Sequence, residues 1–184
     1  MISVVIPCWG DYYKYLPQCL VSIEKQTYKN YEIIISSESD LPTARNRGIE
    51  KAVGEWIFPM DVDDGIDPRL FEMVVGVGDI VATGHKENGV EHYPTDVSLE
   101  AFLDGNRIVA CTLFKKKVWE DIGGYDENMK DGYEDWDFWI RALRAGYNIS
   151  VVREPLFTYT RHNDSMIHKT KQKHDEIRSY IMSK

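Results

Sequence analysis

Two short acidic clusters hold the residue types most able to do chemistry in this chain. The first is Asp61-Val62-Asp63-Asp64-Gly65, directly after the apolar run Trp56 to Met60. In extended chain, side chains repeat every second residue, so Asp61 and Asp63 can point the same way and hold one hard cation between them. Magnesium and manganese prefer oxygen ligands and fill part of their shell with substrate phosphates, which makes a nucleotide diphosphate a suitable partner. Taken alone, an Asp-x-Asp reads as a solvated acidic turn. The second cluster is Glu134-Asp135, opening a segment in which Trp136, Trp139, Ile140 and Leu143 share one side and Asp137, Arg141 and Arg144 the other. A carboxylate at a helix start is stabilised by the helix dipole and destabilised by a like charge beside it. Taken alone, such a pair reads as helix charge complementarity.

The elements that must position these clusters follow from hydrophobic periodicity. Strand, helix, strand, helix and strand succeed one another through the first third, which implies parallel strands with helical crossovers. The strands are Ser3 to Ile6, Ile33 to Ile35 and Trp56 to Met60. The helices are Tyr15 to Lys25 and Pro42 to Val53, the second capped by Asp40, with Ala44, Gly48, Ile49, Ala52 and Val53 facing inward. The acidic loop therefore lies at the C-terminal end of a strand, where open α/β sheets bind ligands. Further on, the pattern predicts a helix from Pro68 to Val75 and a strand from Asp79 to Thr83. A hairpin or mobile loop over Gly84 to Thr95 follows, then a strand from Ile108 to Phe114 and a helix from Lys115 to Ile122. The helix from Glu134 to Ala145 precedes two strands, Asn148 to Val152 and Phe157 to Arg161, and a helix from His174 to Met182.

The chain has 184 residues, 43% hydrophobic and 12% aromatic, enough for one sizeable core, and its length fits a single domain. Thirty acidic against 22 basic residues give a net charge of −8, which opposes binding to nucleic acid or an anionic membrane surface. Cys8, Cys19 and Cys111 form neither a disulfide framework nor a zinc-ligand spacing, and read as reduced thiols in a cytoplasmic protein. No secretory signal is visible, and no uncharged stretch approaches the roughly 20 residues of a transmembrane segment. His85, His92, His168 and His174 show no spacing that suggests a site.

Several motifs in order carry a resemblance. They are Val4-Val5-Ile6-Pro7-Cys8, Tyr15-Leu16 with Cys19-Leu20, Ser22-Ile23 and Gln26-Thr27-Tyr28, then Tyr31-Glu32-Ile33-Ile34-Ile35, Ala44-Arg45-Asn46 with Gly48-Ile49, Gly54-Glu55-Trp56-Ile57 and Asp61-Val62-Asp63-Asp64. Ile122-Gly123-Gly124-Tyr125-Asp126-Glu127, Glu134-Asp135-Trp136-Asp137-Phe138-Trp139 and Tyr159-x-Arg161-His162 with Ser165 complete the set. Together these residues resemble the family 2 glycosyltransferases. The resemblance implies the GT-A fold, a Rossmann-like single α/β domain with a central, mostly parallel sheet flanked by helices. It also implies inverting transfer of a sugar from a nucleotide-sugar, a UDP-sugar being favoured, to a glycan, lipid-linked or other hydroxyl acceptor, with Mn2+ or Mg2+ as cofactor.

Carried over residue by residue, the resemblance places Pro7, Cys8 and Trp9 at the base and ribose, Asp61 near the ribose and Asp63 on the metal. Arg45 faces the ribose or diphosphate, or else forms a surface salt bridge. Asp135 becomes the base, with Glu134 beside it, and His162 lies near the metal or diphosphate. Trp136 is a candidate border of the acceptor pocket, although core packing ranks above it. Residues 1–66 form the nucleotide-binding half of one domain, residues 67–165 the acceptor and catalytic half, and residues 166–184 a helical tail.

One departure stands out. Ser36-Ser37-Glu38-Ser39-Asp40 leads almost at once into Pro42-Thr43-Ala44-Arg45-Asn46, so one helix and one edge strand of the usual family pattern are expected to be missing. Glu38 then becomes a candidate replacement for the usual base-contacting acid. The same shortening raises a second function class, a non-catalytic nucleotide-sugar or glycan-binding module. A nucleotidyltransferase is disfavoured because Cys8-Trp9-Gly10-Asp11 lacks the glycine- and arginine-rich loop those enzymes place after the first strand.

Overall fold

A computed structural model describes residues 1–161 and 167–184. Strand β1 (Ile2–Pro7) is buried along its whole length, and its side chains alternate between two cores. Ile2, Val4 and Ile6 join one hydrophobic cluster and Val5 the other, as the two-residue repeat of a strand requires. The same division recurs in β3 (Trp56–Pro59), where Trp56 and Phe58 face the first cluster and Ile57 the second. One sheet thus separates two apolar layers. Helices α1 (Leu16–Glu24) and α3 (Leu70–Val74) cover one face, while α2 (Leu41–Lys51), α4 (Leu99–Asp104), α5 (Lys116–Ile122) and α6 (Glu134–Arg144) cover the other.

The remaining strands are β2 (Tyr31–Ser36), β4 (Gly65–Ile66), β5 (Ile80–Glu87), β6 (Val90–His92), β7 (Leu113–Lys115) and β8 (Ile149–Tyr159). The sheet order is β2-β1-β3-β7-β5-β8-β4, with β6 paired to β5. Strands β1, β2, β3, β5 and β8 run one way, and β4, β6 and β7 the other, so the sheet is mixed but mostly parallel. The chain crosses from β1 to β2 through α1 on one face, then to β3 through α2 on the other. The ends of β1 and β3 therefore open into the crevice where the winding reverses.

No helix or strand intervenes between β2 and α2; a four-residue connection joins them, and β2 is left at the sheet edge with Ile35 exposed. Asp40 caps α2 as the sequence predicts, its carboxylate accepting from the Thr43 amide at 3.1 Å. Helix α2 packs tightly on β1: a Cβ on Gly48 would stand 2.3 Å from Val5 Cγ1. Gly48→Ala is expected to cost about 1–3 kcal/mol through overpacking, read as a lower denaturant midpoint at unchanged slope. An unshifted midpoint would mean that the two elements separate easily.

Several expectations needed revision. Helix α2 ends at Lys51, and Val53 is 75% exposed instead of facing inward. Only Leu113–Lys115 of the run from Ile108 pairs as a strand, because Ile108 to Cys111 line a cavity instead of a ladder. The two late strands are one, β8, which passes Pro155 through a register irregularity against Thr83, Gly84 and His85 of β5. Helix α4 escaped the periodicity reading; Ser98 caps it, accepting from the Ala101 amide at 3.2 Å. Asp137 is buried, bonded to Arg141 and Lys184 at 2.7 Å each, so the C-terminal lysine covers this position of α6 while Arg144 stays exposed. Helix α7 (Ile167–Gln172) leads to α8 (His174–Met182), which lies where the sequence places it.

Candidate active site

A cavity of about 620 Å³ opens at the C-terminal ends of β1 and β3. Pro7 and Trp9 supply the wall from β1, and Asp61, Asp63 and Asp64 the floor from the loop after β3. That loop is pinned to its surroundings. The Met60 amide donates to the Val5 carbonyl at 2.9 Å, the Asp61 amide to Cys111 Sγ at 3.3 Å, and the Asp64 amide back to the Asp61 carbonyl at 3.2 Å.

Arg45 joins the acidic loop to the Glu134-Asp135 pair. It is 1% exposed, its Nη2 lies 2.8 Å from Asp61 Oδ1, and its Nη1 makes a short ion pair with Glu134 Oε1. The guanidinium also lies over the Tyr125 ring, 5.5 Å from its centroid. The surface-salt-bridge alternative for Arg45 is thereby excluded. Burial works against its charge, but Asp61 and Glu134 outweigh it and hold the group well above its ordinary pKa.

The neighbouring Asn46 does structural work that the sequence reading left unassigned. Its Oδ1 accepts from Trp119 Nε1 and the Tyr125 amide at 2.9 Å each, and its Nδ2 donates to the Tyr125 carbonyl and Glu127 Oε1 at 2.9 and 3.0 Å. These bonds fix the turn through Gly124, at φ +79°, that carries the chain toward α6. Tyr133, at φ +59°, delivers the chain into the first turn of that helix.

Successive helical residues point about 100° apart, so Glu134 and Asp135 take different environments. Glu134 is buried against Arg45. Asp135 stays half-buried at the cavity wall and accepts from Asn106 Nδ2 at 2.8 Å. Burial pushes the Glu134 carboxyl up to about 7, against the pull of Arg45 and helped by Asp135. The Asp135 carboxyl is likewise raised by burial, opposed by Arg45 and by the Asn106 bond.

Asp64 is more deeply committed than its sequence context implies. It is buried, its Oδ1 accepts from the Thr160 amide at 2.7 Å, and burial together with Asp61 and Asp63 pushes its carboxyl up to about 9. A raised folded-state pKa favours the protonated form, so its stabilising contribution is complete below the unfolded value near 3.8 and is lost as pH rises toward 9. In metal-free buffer the melting temperature should therefore fall between pH 5 and pH 8, and Asp64→Asn should flatten that slope. Parallel curves for the two proteins would contradict this assignment.

Ligand atoms of Asp61, Asp64 and Cys111 lie within 4.8 Å of one another, and Asp63 borders the same cavity. Three carboxylates crowded at one strand end, offering hard oxygen donors beside an open cavity, fit a divalent cation such as Mn2+ or Mg2+. Burial pushes the Cys111 thiol well up, and a thiol is a poor ligand for such ions.

Of the residues singled out in the sequence, Pro7, Trp9, Arg45, Asp61, Asp63, Glu134 and Asp135 converge on this cavity. Cys8 is fully buried, with its amide donating to the Ser36 carbonyl at 2.8 Å, and its side chain belongs to the core. Glu38 is exposed on the β2–α2 connection and is not on the wall. Trp136 is 1% exposed, packed in the core, and its indole donates to the Phe102 carbonyl at 2.7 Å, which leaves no face for an acceptor. His162 lies outside the described residues. Asn106 and Cys111 were not among the sequence candidates, because each reaches the site through contacts distant in sequence, and Asp64 stood in the acidic loop without an assigned role.

The sequence also matches known families at both ends. The profile "Glycosyl transferase family 2" matches residues 3–40, and "Glycosyltransferase like family 2" matches residues 97–183. Together the two profiles support a family 2 glycosyltransferase. The chain is 26% identical over 184 aligned residues to YwdF, an uncharacterized glycosyltransferase of Bacillus subtilis, the match covering 78% of this chain and 68% of YwdF. An uncharacterized glycosyltransferase of Haemophilus influenzae is 23% identical, over 88% of this chain and 69% of its own length.

Among solved structures, Staphylococcus aureus TarS 1-349 in complex with UDP-GlcNAc superposes with a TM-score of 0.74 at 16% identity, covering 91% of this chain and 60% of that one. The Pyrobaculum calidifontis mannosyltransferase PcManGT, in complex with GDP-Man and Mn2+, gives 0.66 at 13% identity, covering 90% and 58%. Both likenesses establish a GT-A fold, of which this chain holds a shortened version. Among the described residues, no helix is long and apolar enough to cross a membrane.

Proposed function

We propose that this chain transfers a hexosyl or related sugar from a nucleotide-diphosphate sugar, a UDP-sugar first among them, to a hydroxyl acceptor with inversion at the anomeric carbon. The observation that carries this reading is the convergence of Asp61, Asp63 and Asp135 on one cavity. The UDP-GlcNAc and GDP-Man complexes of the two solved relatives support a nucleotide-sugar as the ligand of such a cavity.

Asp63, with Asp61, would hold Mn2+ or Mg2+. When bound, that ion neutralises charge on the departing diphosphate. Trp9 and Pro7 offer a wall for the base and ribose, and Arg45 fixes Asp61 at the cavity floor. The acceptor hydroxyl attacks the anomeric carbon opposite the leaving group. As the new C–O bond forms and the bond to the diphosphate oxygen breaks, Asp135 takes the hydroxyl proton. Asn106 aims that carboxylate, while Glu134 is engaged in holding Arg45 and acts as a positioning residue.

The test is donor binding and transfer across a nucleotide-sugar panel with and without Mn2+. Asp63→Asn should abolish the metal-dependent part of donor binding and lower transfer by roughly two orders of magnitude or more. Undiminished metal dependence in that variant would remove Asp63 from the proposed role. Tight donor binding with neither hydrolysis nor transfer would favour a binding module instead.

A further inference from the structure

The β5–β6 hairpin brings together three side chains that look unrelated along the chain. Its two strands turn at Asn88 and Gly89, at φ +50° and +79°, and this turn sets the register His85↔His92, Lys86↔Glu91, Glu87↔Val90. Residues directly opposite in an antiparallel pair share a face, and so do residues two apart on one strand. His85, His92 and Glu87 therefore stand on one face of the hairpin, and Lys86 and Glu91 form their own ion pair at 3.6 Å. The two imidazoles are stacked, 5.0 Å between centroids at 18°, and one ligand atom from each of the three residues lies within 4.8 Å of the others.

From this geometry we infer that the hairpin face is a second metal site, in which His85, His92 and Glu87 bind a borderline transition ion of the Zn2+ type. Two imidazoles and a carboxylate are a donor set that zinc accepts, and three protein ligands leave a fourth tetrahedral position open. Zn–N bonds of about 2.0–2.1 Å place tetrahedral ligand atoms about 3.3 Å apart, so modest side-chain rotations close the observed spacing. His85 and Glu87 also line the large cavity, whereas His92 is exposed on the outer strand.

Glu87 also pairs with Arg161. A carboxylate has two oxygens, so Arg161 can keep one and orient the group while the other takes the ion. Burial and the facing His92 lower the pKa of His85, which favours the neutral ring that ligation needs. The site differs in kind from the carboxylates after β3: imidazole suits zinc, copper and nickel, whereas an all-oxygen set suits magnesium and manganese. The inference does not depend on the transfer reaction.

The test is titration of untagged, chelator-stripped protein with ZnCl2 and, separately, CoCl2. One Zn2+ per chain should bind, Co2+ should give an intense tetrahedral d–d absorption, and Mg2+ at millimolar concentration should not displace either ion. His92→Ala should weaken zinc binding at least ten-fold and abolish the cobalt band, while melting at the wild-type temperature in chelator. Cys111→Ser, at the other candidate cluster, should leave zinc binding unchanged. Absence of saturable binding, or equal affinity in wild type, His92→Ala and His85→Ala, would overturn the inference.

Discussion

Asp135→Asn should retain nucleotide-sugar binding and lose roughly 10²- to 10⁴-fold in kcat for transfer, the range that a positioned general base contributes. The substitution keeps the size of the side chain and its ability to accept from Asn106, so the cavity wall should stay in place. What it removes is the group proposed to take the acceptor's proton. Loss should therefore fall on kcat, with the donor Kd unchanged, because the proposed role of Asp135 lies on the acceptor side of the reaction. A kcat within a few-fold of wild type would displace Asp135 from the role and leave Glu134 as the remaining carboxylate of the pair.

Arg45→Met should be the most damaging substitution for the fold of the site. Arg45 is fully buried between Asp61 and Glu134, and removing it strands the buried Glu134 carboxylate and unpairs Asp61, which is partly exposed at the cavity floor. Breaking a buried ion pair by deleting one partner costs roughly 3–5 kcal/mol, because the charge left behind has neither water nor a counter-ion. Glu134, already raised to about 7 by burial, would respond by binding a proton at neutral pH. The variant should thus unfold at lower denaturant and become less stable still as pH rises, since ionising Glu134 then carries the full burial cost. Arg45→Lys should rescue little of this, because one ammonium cannot reproduce a guanidinium that bonds two carboxylates through separate nitrogens. Equal unfolding free energies for wild type and Arg45→Met would contradict the bridging role.

What could be read from the sequence was what local spacing encodes. The strands on either side of α2, the acidic loop at a strand end, the Asp40 cap and the amphipathic α6 all announce themselves within a dozen residues. The resemblance then joined the acidic loop to Glu134-Asp135, and the cavity contains both. The missing helix and strand after β2 were visible as a short count between Ser36 and Pro42.

What stayed hidden depends on chain pairing. Asp64 owes its depth to the Thr160 amide, 96 positions away, and Arg45 owes its burial to Glu134, 89 positions away. His85 and His92 share a strand-pair register that no spacing rule for metal ligands includes, because a hairpin turn sets it. The run Ile108 to Cys111 is apolar because it walls a cavity, and hydrophobicity alone does not separate a wall from a strand. Trp136 shows the converse: its place on the apolar face of α6 was legible, and that face turns into the core.

The central claim is tested most directly by a crystal structure of this chain with an intact UDP-sugar and Mn2+, recorded with anomalous scattering at the manganese edge. We expect the manganese peak beside Asp63, the diphosphate on it, and the anomeric carbon between that ion and the Asp135 carboxylate. Manganese bound away from Asp61 and Asp63, or an anomeric carbon that Asp135 cannot approach from the side opposite the diphosphate, would contradict it.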